Sequence, residues 1–244
     1  MYFSPLRVER EFTYMIEESR EILKVIVGSH AHGLATPESD YDYRGVFAYP
    51  TSRILSLFPP TDHTSWIEGK TDDTSWELHK FLFLSTKCNP TILETFLAPL
   101  APQPQEFIPT YQKFTLPLRE LFPHVWNSTA VKDAFVGYGI NQRKKFFDNR
   151  DKRAPKYACA YLRVLYNAWE LLSTGTFNVD LTDTPVYEAC KRFKRGDYTP
   201  GEVINECFKW ETEVLKAYKQ NPDKKTNFEP INEFLLKVRK ELWT

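Results

Sequence analysis

The chain has 244 residues, of which 42% are apolar and 26% charged, and its 32 lysines and arginines balance 32 aspartates and glutamates. These fractions are typical of an ordinary globular protein with a proper core, and they exclude an overall basic charge as the basis for binding nucleic acid. No apolar run approaches the roughly 18 residues of a membrane span, the N-terminus lacks a signal peptide's apolar segment, and the four cysteines form no CxxC pair. We therefore expect a cytoplasmic protein with reduced thiols and no membrane association.

The first hundred residues predict a small α/β unit. Ser4-Pro5 is typical of a helix start, and apolar residues then recur at helical spacing. Asn89-Pro90 is a second such start. Apolar runs and caps predict strands at 22–27, 41–48 and 76–78, and helices at 78–87 and 90–97.

A proline-rich stretch divides the sequence into two predicted parts. Residues 98–109 carry the densest proline cluster of the chain, which is typical of a domain boundary. Beyond it the apolar spacing becomes helical, and caps predict helices at 129–147, 156–173, 200–221 and 230–243. We therefore predict one domain over residues 1–103 and an all-helical domain over residues 110–244.

The most informative motif joins a Gly-Ser turn to two aspartates. Gly28-Ser29 follows the first predicted strand, and Asp40 and Asp42 stand at the start of the second. Because side chains alternate along a strand, the two carboxylates are expected to point to the same face. Backbone N–H groups of the turn can bind phosphate oxygens, and the aspartates can bind Mg²⁺ ions that share those oxygens. The motif therefore predicts a site for a divalent cation and a polyphosphate.

Gly28-Ser29 followed by Asp40-Tyr41-Asp42 resembles the active-site signature of the DNA polymerase β-like nucleotidyltransferase superfamily. The longer run 28–46 is similar to a branch of predicted nucleotidyltransferases associated with RNA repair in bacteria and phages. Further similarity lies at 80–82, 89–94, 161–163 and 170–175. The resemblance implies an α/β (α+β) nucleotidyltransferase core with a mixed sheet, followed by an all-helical C-terminal domain that closes over the nucleotide. It also implies transfer of a nucleoside monophosphate from a nucleoside triphosphate to a hydroxyl acceptor.

Such a reaction needs two or three clustered carboxylates, because two Mg²⁺ (or Mn²⁺) ions roughly 3.5–4 Å apart align the phosphates. Asp40 and Asp42 supply two carboxylates. For the third we favour Glu77, whose apolar neighbours predict a buried strand, and which is also a candidate base for the acceptor hydroxyl. Asp72 and Asp73 are the alternatives, in a predicted loop.

Five residues are candidate nucleotide ligands. Gly28 and Ser29 form the phosphate turn, in which the Ser29 hydroxyl either binds a phosphate or caps the turn. Arg44 lies two residues beyond the second aspartate, as a phosphate ligand or as a counter-charge for that carboxylate. Lys156 and Arg163 lie seven residues apart, on one side of a predicted helix.

Two further groups keep alternatives open. The densest basic stretch, residues 143–156, could bind a triphosphate, follow an RNA backbone, or form a solvated helix end. For His30 and His32 a surface turn is favoured over a phosphate contact, and zinc is disfavoured because no cysteine or third histidine lies nearby.

The sequence thus predicts a nucleotidyltransferase that uses a nucleoside triphosphate, with an RNA 3′ end as the favoured acceptor. One alternative is the same transfer to a protein hydroxyl or a small molecule. Another is a non-catalytic module that binds nucleotide or RNA. The paired aspartates disfavour the module, because neighbouring carboxylates repel one another when no cation is bound.

Overall fold

The computed structural model describes residues 20–60, 65–66, 74–102 and 108–243. The predicted helix behind Ser4 lies outside the described residues, as do Asp72 and Asp73 and part of the proline-rich stretch.

Four strands of the described chain form one mixed sheet in the order β1-β2-β4-β3. Strands β1 and β2 are antiparallel, β2 and β4 are parallel, and β3 and β4 are antiparallel. Leu23, Val25 and Val27 alternate along β1 and are buried, which gives the sheet one apolar face. The strands are β1 (Arg20–Val27), β2 (Asp42–Ala48), β3 (Ser65–Trp66) and β4 (Thr74–Glu77).

Helices make up most of the rest of the described chain. Those of the N-terminal part are α1 (Gly28–Ala31), α2 (Thr51–Ile54), α3 (Leu78–Thr86) and α4 (Pro90–Leu97). Those that follow are α5 (Ile108–Glu120), α6 (Phe122–Val125), α7 (Ser128–Asp148), α8 (Ala154–Thr174), α9 (Tyr187–Arg195), α10 (Pro200–Gln220) and α11 (Phe228–Glu241). The predicted α/β core with a mixed sheet and a helical C-terminal region is confirmed.

Capping residues explain where several helices begin and end. The side chains of Asn89 and Asn127 accept hydrogen bonds from backbone N–H groups in the first turns of α4 and α7. Thr199 and Glu202 form the reciprocal capping box at the start of α10. Gly175 ends α8 with a left-handed φ of 75°. These local signals account for the agreement of the predicted helices at 90–97, 129–147, 156–173 and 200–221 with α4, α7, α8 and α10.

The C-terminal helices pack directly against the sheet. The Thr115 hydroxyl of α5 donates a 2.6 Å hydrogen bond to the carbonyl oxygen of Ile22 in β1. Arg119, also in α5, donates to the carbonyl oxygens of Leu97 and Ala98. The buried apolar residues of both parts belong to one continuous core. The division into residues 1–103 and 110–244 therefore stays a prediction, and α5 begins within the expected boundary, at Ile108.

Among the described helices, none combines the length and the apolar composition that crossing a bilayer requires. The four cysteines are buried and free.

Candidate functional site

The Gly-Ser turn begins where β1 ends, and glycine is required there for two reasons. Gly28 has a left-handed φ of 68°, a conformation that other residues adopt at a cost. A Cβ atom at this position would lie 2.6 Å from Oδ2 of Asp42. The chain then makes the single helical turn α1, and the backbone carbonyl oxygen of Ser29 accepts a 2.9 Å hydrogen bond from the Leu34 backbone N–H. The Asp42 carboxylate is therefore held directly against the turn.

The two aspartates differ in their surroundings. Asp42 is the first residue of β2, where it is the register partner of Val27, and it lines the cavity described below. Asp40 lies before the strand in an irregular segment, and its side chain is exposed. We expected strand alternation to place both carboxylates on one face. This expectation is corrected, because β2 begins only at Asp42 and Asp40 lies outside the strand.

The structure does not bring Glu77 to the aspartates. In the parallel pairing of β2 with β4, Glu77 is the partner of Phe47, five residues along β2 from Asp42 and thus roughly 16 Å away. Its carboxylate accepts a 2.7 Å hydrogen bond from Arg239 and another from the backbone N–H of His79, which caps α3. Both oxygens of this buried group have structural partners. We therefore withdraw Glu77 from the predicted metal cluster and from the role of base.

A cavity of about 710 Å³ lies between the end of the sheet and helices α7 to α9. Six of the eight predicted site residues line this cavity: Gly28, Ser29, Asp42, Arg44, Lys156 and Arg163. Its charge is strongly one-sided. Of the described residues, seven lysines and arginines but only two carboxylates line it: Arg44, Lys145, Lys152, Arg153, Lys156, Arg163 and Lys194, against Asp42 and Glu94.

Glu94 of α4 is the centre of a buried ionic cluster at the base of this cavity. Its side chain is only 5% exposed. Oε2 accepts a 3.1 Å hydrogen bond from Nη1 of Arg163 in α8. Oε1 lies 3.6 Å from Nη1 of Arg44 and 3.6 Å from Nε2 of His32. One carboxylate therefore fixes two guanidinium groups that come from the sheet and from the helices.

The pKa values within the cluster follow from burial and from these contacts. Burial raises the pKa of Glu94, but Arg163, His32 and Arg44 outweigh it and lower that pKa to about 2. Burial and the neighbouring Arg163 lower the pKa of His32 to about 4, against the opposing effect of Glu94. At neutral pH the cluster therefore holds two positive charges and one negative charge. Nη1 of Arg44 is buried and makes no hydrogen bond to the described residues, so the 3.6 Å ion pair with Glu94 is its polar contact there.

The helical wall of the cavity consists of facing surfaces of α7 and α8. Lys156 and Arg163 lie on one side of α8, as their spacing predicts. Part of the predicted basic stretch joins them in the lining, including Lys145, whose ammonium lies 5.6 Å from the centre of the Tyr157 ring. By contrast, Arg150 pairs with Asp148 at the surface.

The helical part also holds the segment that follows the Gly-Ser turn. Residues 32–34 make four hydrogen bonds to residues of the segment 179–194. These bonds join His32 Nδ1 to the Val179 carbonyl (3.2 Å), the Leu181 N–H to the His32 carbonyl (3.3 Å), the Tyr187 hydroxyl to the Gly33 carbonyl (3.2 Å), and the Lys194 ammonium to the Leu34 carbonyl. The position of the turn therefore depends on both parts of the chain.

Comparison with known proteins agrees with this geometry. The profile of the RlaP family, described as the RNA repair pathway DNA polymerase beta family, matches residues 7–237. The chain belongs to this family. It is also 25% identical, over 259 residues, to the uncharacterized protein YcgL of Bacillus subtilis (strain 168), with 97% of this chain and 94% of YcgL covered. The resemblance to polymerase β-like nucleotidyltransferases of RNA repair is thus confirmed.

Two site residues of this RlaP member were missed in the sequence. Glu94 lies in a segment of similarity to the family and was given no chemical role, yet this carboxylate pairs with two arginines of the cavity lining. The available signal was an acidic residue inside an apolar helix, between Leu93 and Phe96, because a buried charge requires a partner. For His32 the favoured surface turn is wrong, since its side chain is buried against Glu94. His30 instead stacks on Tyr41, with 3.7 Å between ring centres.

Proposed function

We propose that this protein transfers a nucleoside monophosphate from a nucleoside triphosphate to a hydroxyl group at an RNA end, with release of pyrophosphate. The observation that carries this proposal is the one-sided charge of the cavity in a chain of zero net charge. A polyphosphate is the ligand that such an excess of cations favours. The cavity volume lies within the range of small-molecule sites, which makes it large enough for a nucleotide. Membership of an RNA repair family supports RNA as the acceptor.

In this proposal the sheet and the helices hold different parts of the nucleotide. The Gly28-Ser29 turn offers backbone N–H groups and a hydroxyl to phosphate oxygens. Arg44 and Arg163, fixed by Glu94, offer guanidinium groups at the base of the cavity. Lys156 adds an exposed charge from the helical wall. Little covalent chemistry is then required of the protein, because orientation and neutralisation of charge provide most of the catalysis in phosphoryl and nucleotidyl transfer.

The residues present fit a divalent cation at the end of the sheet. Asp42 supplies a hard oxygen ligand in a cradle that a Cβ atom on Gly28 would fill, and Asp40 is two residues away. Within the described part of the chain no three potential ligands cluster, so Asp72 and Asp73 are the further carboxylates to test. When bound, Mg²⁺ or Mn²⁺ supplies Lewis-acid polarisation of the phosphate and of the acceptor oxygen. Asp40 and Asp42 would hold it.

Label transfer tests the proposal. The protein is incubated with each α-³²P-labelled nucleoside triphosphate, with Mg²⁺ or Mn²⁺, in a mixture of cellular RNA and protein. Asp42→Asn is compared with the matched control Asp133→Asn, an exposed aspartate of α7 outside the cavity. We expect label on nuclease-sensitive material with the wild type and the control, and none with Asp42→Asn or after addition of EDTA.

The other outcomes separate the alternatives. Label that proteases remove would show that the acceptor is a protein. Label on a small metabolite would show that the acceptor is a small molecule. Nucleotide binding without transfer to any acceptor would overturn the enzymatic proposal in favour of a nucleotide-sensing module.

A further inference from the structure

Gln142 of α7 is a buried polar side chain that faces the cavity. Only 6% of the residue is exposed, and it contributes to the cavity lining. Its amide makes no hydrogen bond to any residue that the structure describes. Its amide atoms are not among the fully enclosed polar atoms that lack a partner, so the amide opens into the cavity. A ligand in the cavity can therefore bond to this amide in place of water.

The level of Gln142 within the cavity follows from the packing of α7 against α8. Three residues before it, Gly139 packs on the Tyr161 ring, and three residues after it, Lys145 lies over the Tyr157 ring. Gln142 is therefore level with Cys159, midway between these contacts.

This level is chemically distinct from the levels on either side. Cys159 and Ala160 contribute small, uncharged side chains there. Arg163 is largely buried beside Glu94, whereas Lys145 and Lys156 are exposed. A neutral layer that contains one free amide and small neighbours suits a flat heterocycle, whereas the charged layers suit phosphates.

We propose that Gln142 reads the base of the bound nucleotide and that the base is adenine. This inference rests on the proposed function. A glutamine amide presents a donor and an acceptor side by side, and it pairs in a bidentate manner with the amino group and a ring nitrogen of adenine. Adenine presents this combination on both its Watson–Crick and its Hoogsteen edge, cytosine presents it on its Watson–Crick edge alone, and the Hoogsteen edge of guanine carries two acceptors. Gln142 is thus the specificity-determining residue, and the cations bind the phosphates of any nucleotide.

Binding measurements on the full chain separate base recognition from phosphate recognition. Dissociation constants are measured by calorimetry for ATP, GTP, CTP, UTP and inorganic tripolyphosphate at one fixed Mg²⁺ concentration. Gln142→Met keeps the length of the side chain and removes both hydrogen-bonding groups. Lys145→Met, one turn further along the same face of α7, removes a charge instead.

We expect the wild type to bind ATP at least about 10-fold more tightly than the other nucleotides. Gln142→Met should lose most of this preference and leave the affinity for tripolyphosphate within about twofold, because the phosphate ligands are untouched. Lys145→Met should weaken ATP and tripolyphosphate by the same factor and keep the preference.

Two results would overturn the inference in distinguishable ways. A wild type that binds tripolyphosphate but does not prefer ATP, or a Gln142→Met variant that keeps the preference, contradicts base reading by Gln142 alone. A wild type that binds neither nucleotides nor tripolyphosphate refutes the proposed function, and this inference with it. Gln142→Asn, which keeps the amide on a shorter side chain, is expected to retain a reduced preference and serves if the methionine variant is unstable.

Discussion

Replacement of Glu94 by glutamine tests the ionic cluster at the base of the cavity. The change keeps the shape of the side chain and removes the negative charge that Arg44 and Arg163 share. Removing one partner of a buried ion pair typically costs about 3–5 kcal/mol, because the other charges remain buried without compensation. Typical domains have only about 5–15 kcal/mol of stability in total. Glu94→Gln should therefore fold at neutral pH with a clearly reduced free energy of unfolding.

The pKa of Glu94 gives an independent value for the contribution of this carboxylate to the free energy of unfolding. In the folded protein it is lowered from the ordinary value of 4.5 to about 2. A lowered carboxyl pKa contributes stability above the unfolded value, and this contribution is lost as the pH falls through the interval from about 5 to 2. The difference corresponds to about 3 kcal/mol, which agrees with the range for breaking a buried pair.

His32 adds a second pH interval in which acid lowers the free energy of unfolding. Its pKa falls from 6.5 to about 4 on folding, so the unfolded chain takes up a proton first as the pH is lowered. The wild type should therefore lose stability from about pH 6.5 to 4 through His32 and again from about pH 5 to 2 through Glu94. Glu94→Gln should keep the first loss and lack the second.

Urea unfolding between pH 3 and 8, followed by circular dichroism, measures both effects. The matched control is Glu213→Gln, which removes a surface partner of Lys216 and should change stability by less than about 1 kcal/mol. If Glu94→Gln unfolds like this control at pH 7 and keeps the wild-type acid profile, the cluster does not stabilise the fold as we have argued.

Two further substitutions test other parts of the structure. Gly28→Ala should lower label transfer at least about 10-fold, because its Cβ would displace the Asp42 carboxylate. The control Gly175→Ala has the same left-handed backbone strain of about 1–2 kcal/mol. Its Cβ would meet open space, so transfer should be unchanged. Equal activity of the two variants would contradict the cradle. Glu77→Gln should reduce stability by about 3 kcal/mol through loss of the Arg239 pair and keep the transfer rate per folded molecule, as measured by denaturation and label transfer. A folded but inactive Glu77→Gln variant would return this residue to the active site.

The helices could be predicted from the sequence because their signals are local. Thr199-Pro200-Gly201-Glu202 specifies a capping box within four residues, and Gly175 marks the end of α8 at the observed position. Helices α5 and α9 were not predicted, since the proline cluster at 98–109 suggested a boundary, α5 carries Pro117 in its interior, and α9 is short and strongly charged. In α5, tertiary contacts such as that of Thr115 with β1 compensate for the unfavourable proline.

The carboxylates show where sequence reasoning ends. An acid between apolar residues of a strand predicts a buried group, and Glu77 is indeed buried. The sequence pattern does not specify how β4 is aligned with β2. This register determines at which end of the sheet Glu77 lies. Glu94 reaches the cavity through packing of α4 against α8, which no local pattern specifies.

The cavity is assembled from segments that are distant in sequence, which explains how a chain of zero net charge forms a strongly cationic site. The sheet contributes the Gly28-Ser29 turn and Asp42, whereas α7 to α9 and the connection between α7 and α8 contribute six of the seven lysines and arginines. Cations at this density repel one another, and among the described residues only Asp42 and Glu94 offset them at the cavity wall. The arrangement therefore weakens the empty protein and becomes favourable when a polyanion enters. This excess charge is what the proposed polyphosphate site requires, whereas a network that only stabilised the fold would balance its charges.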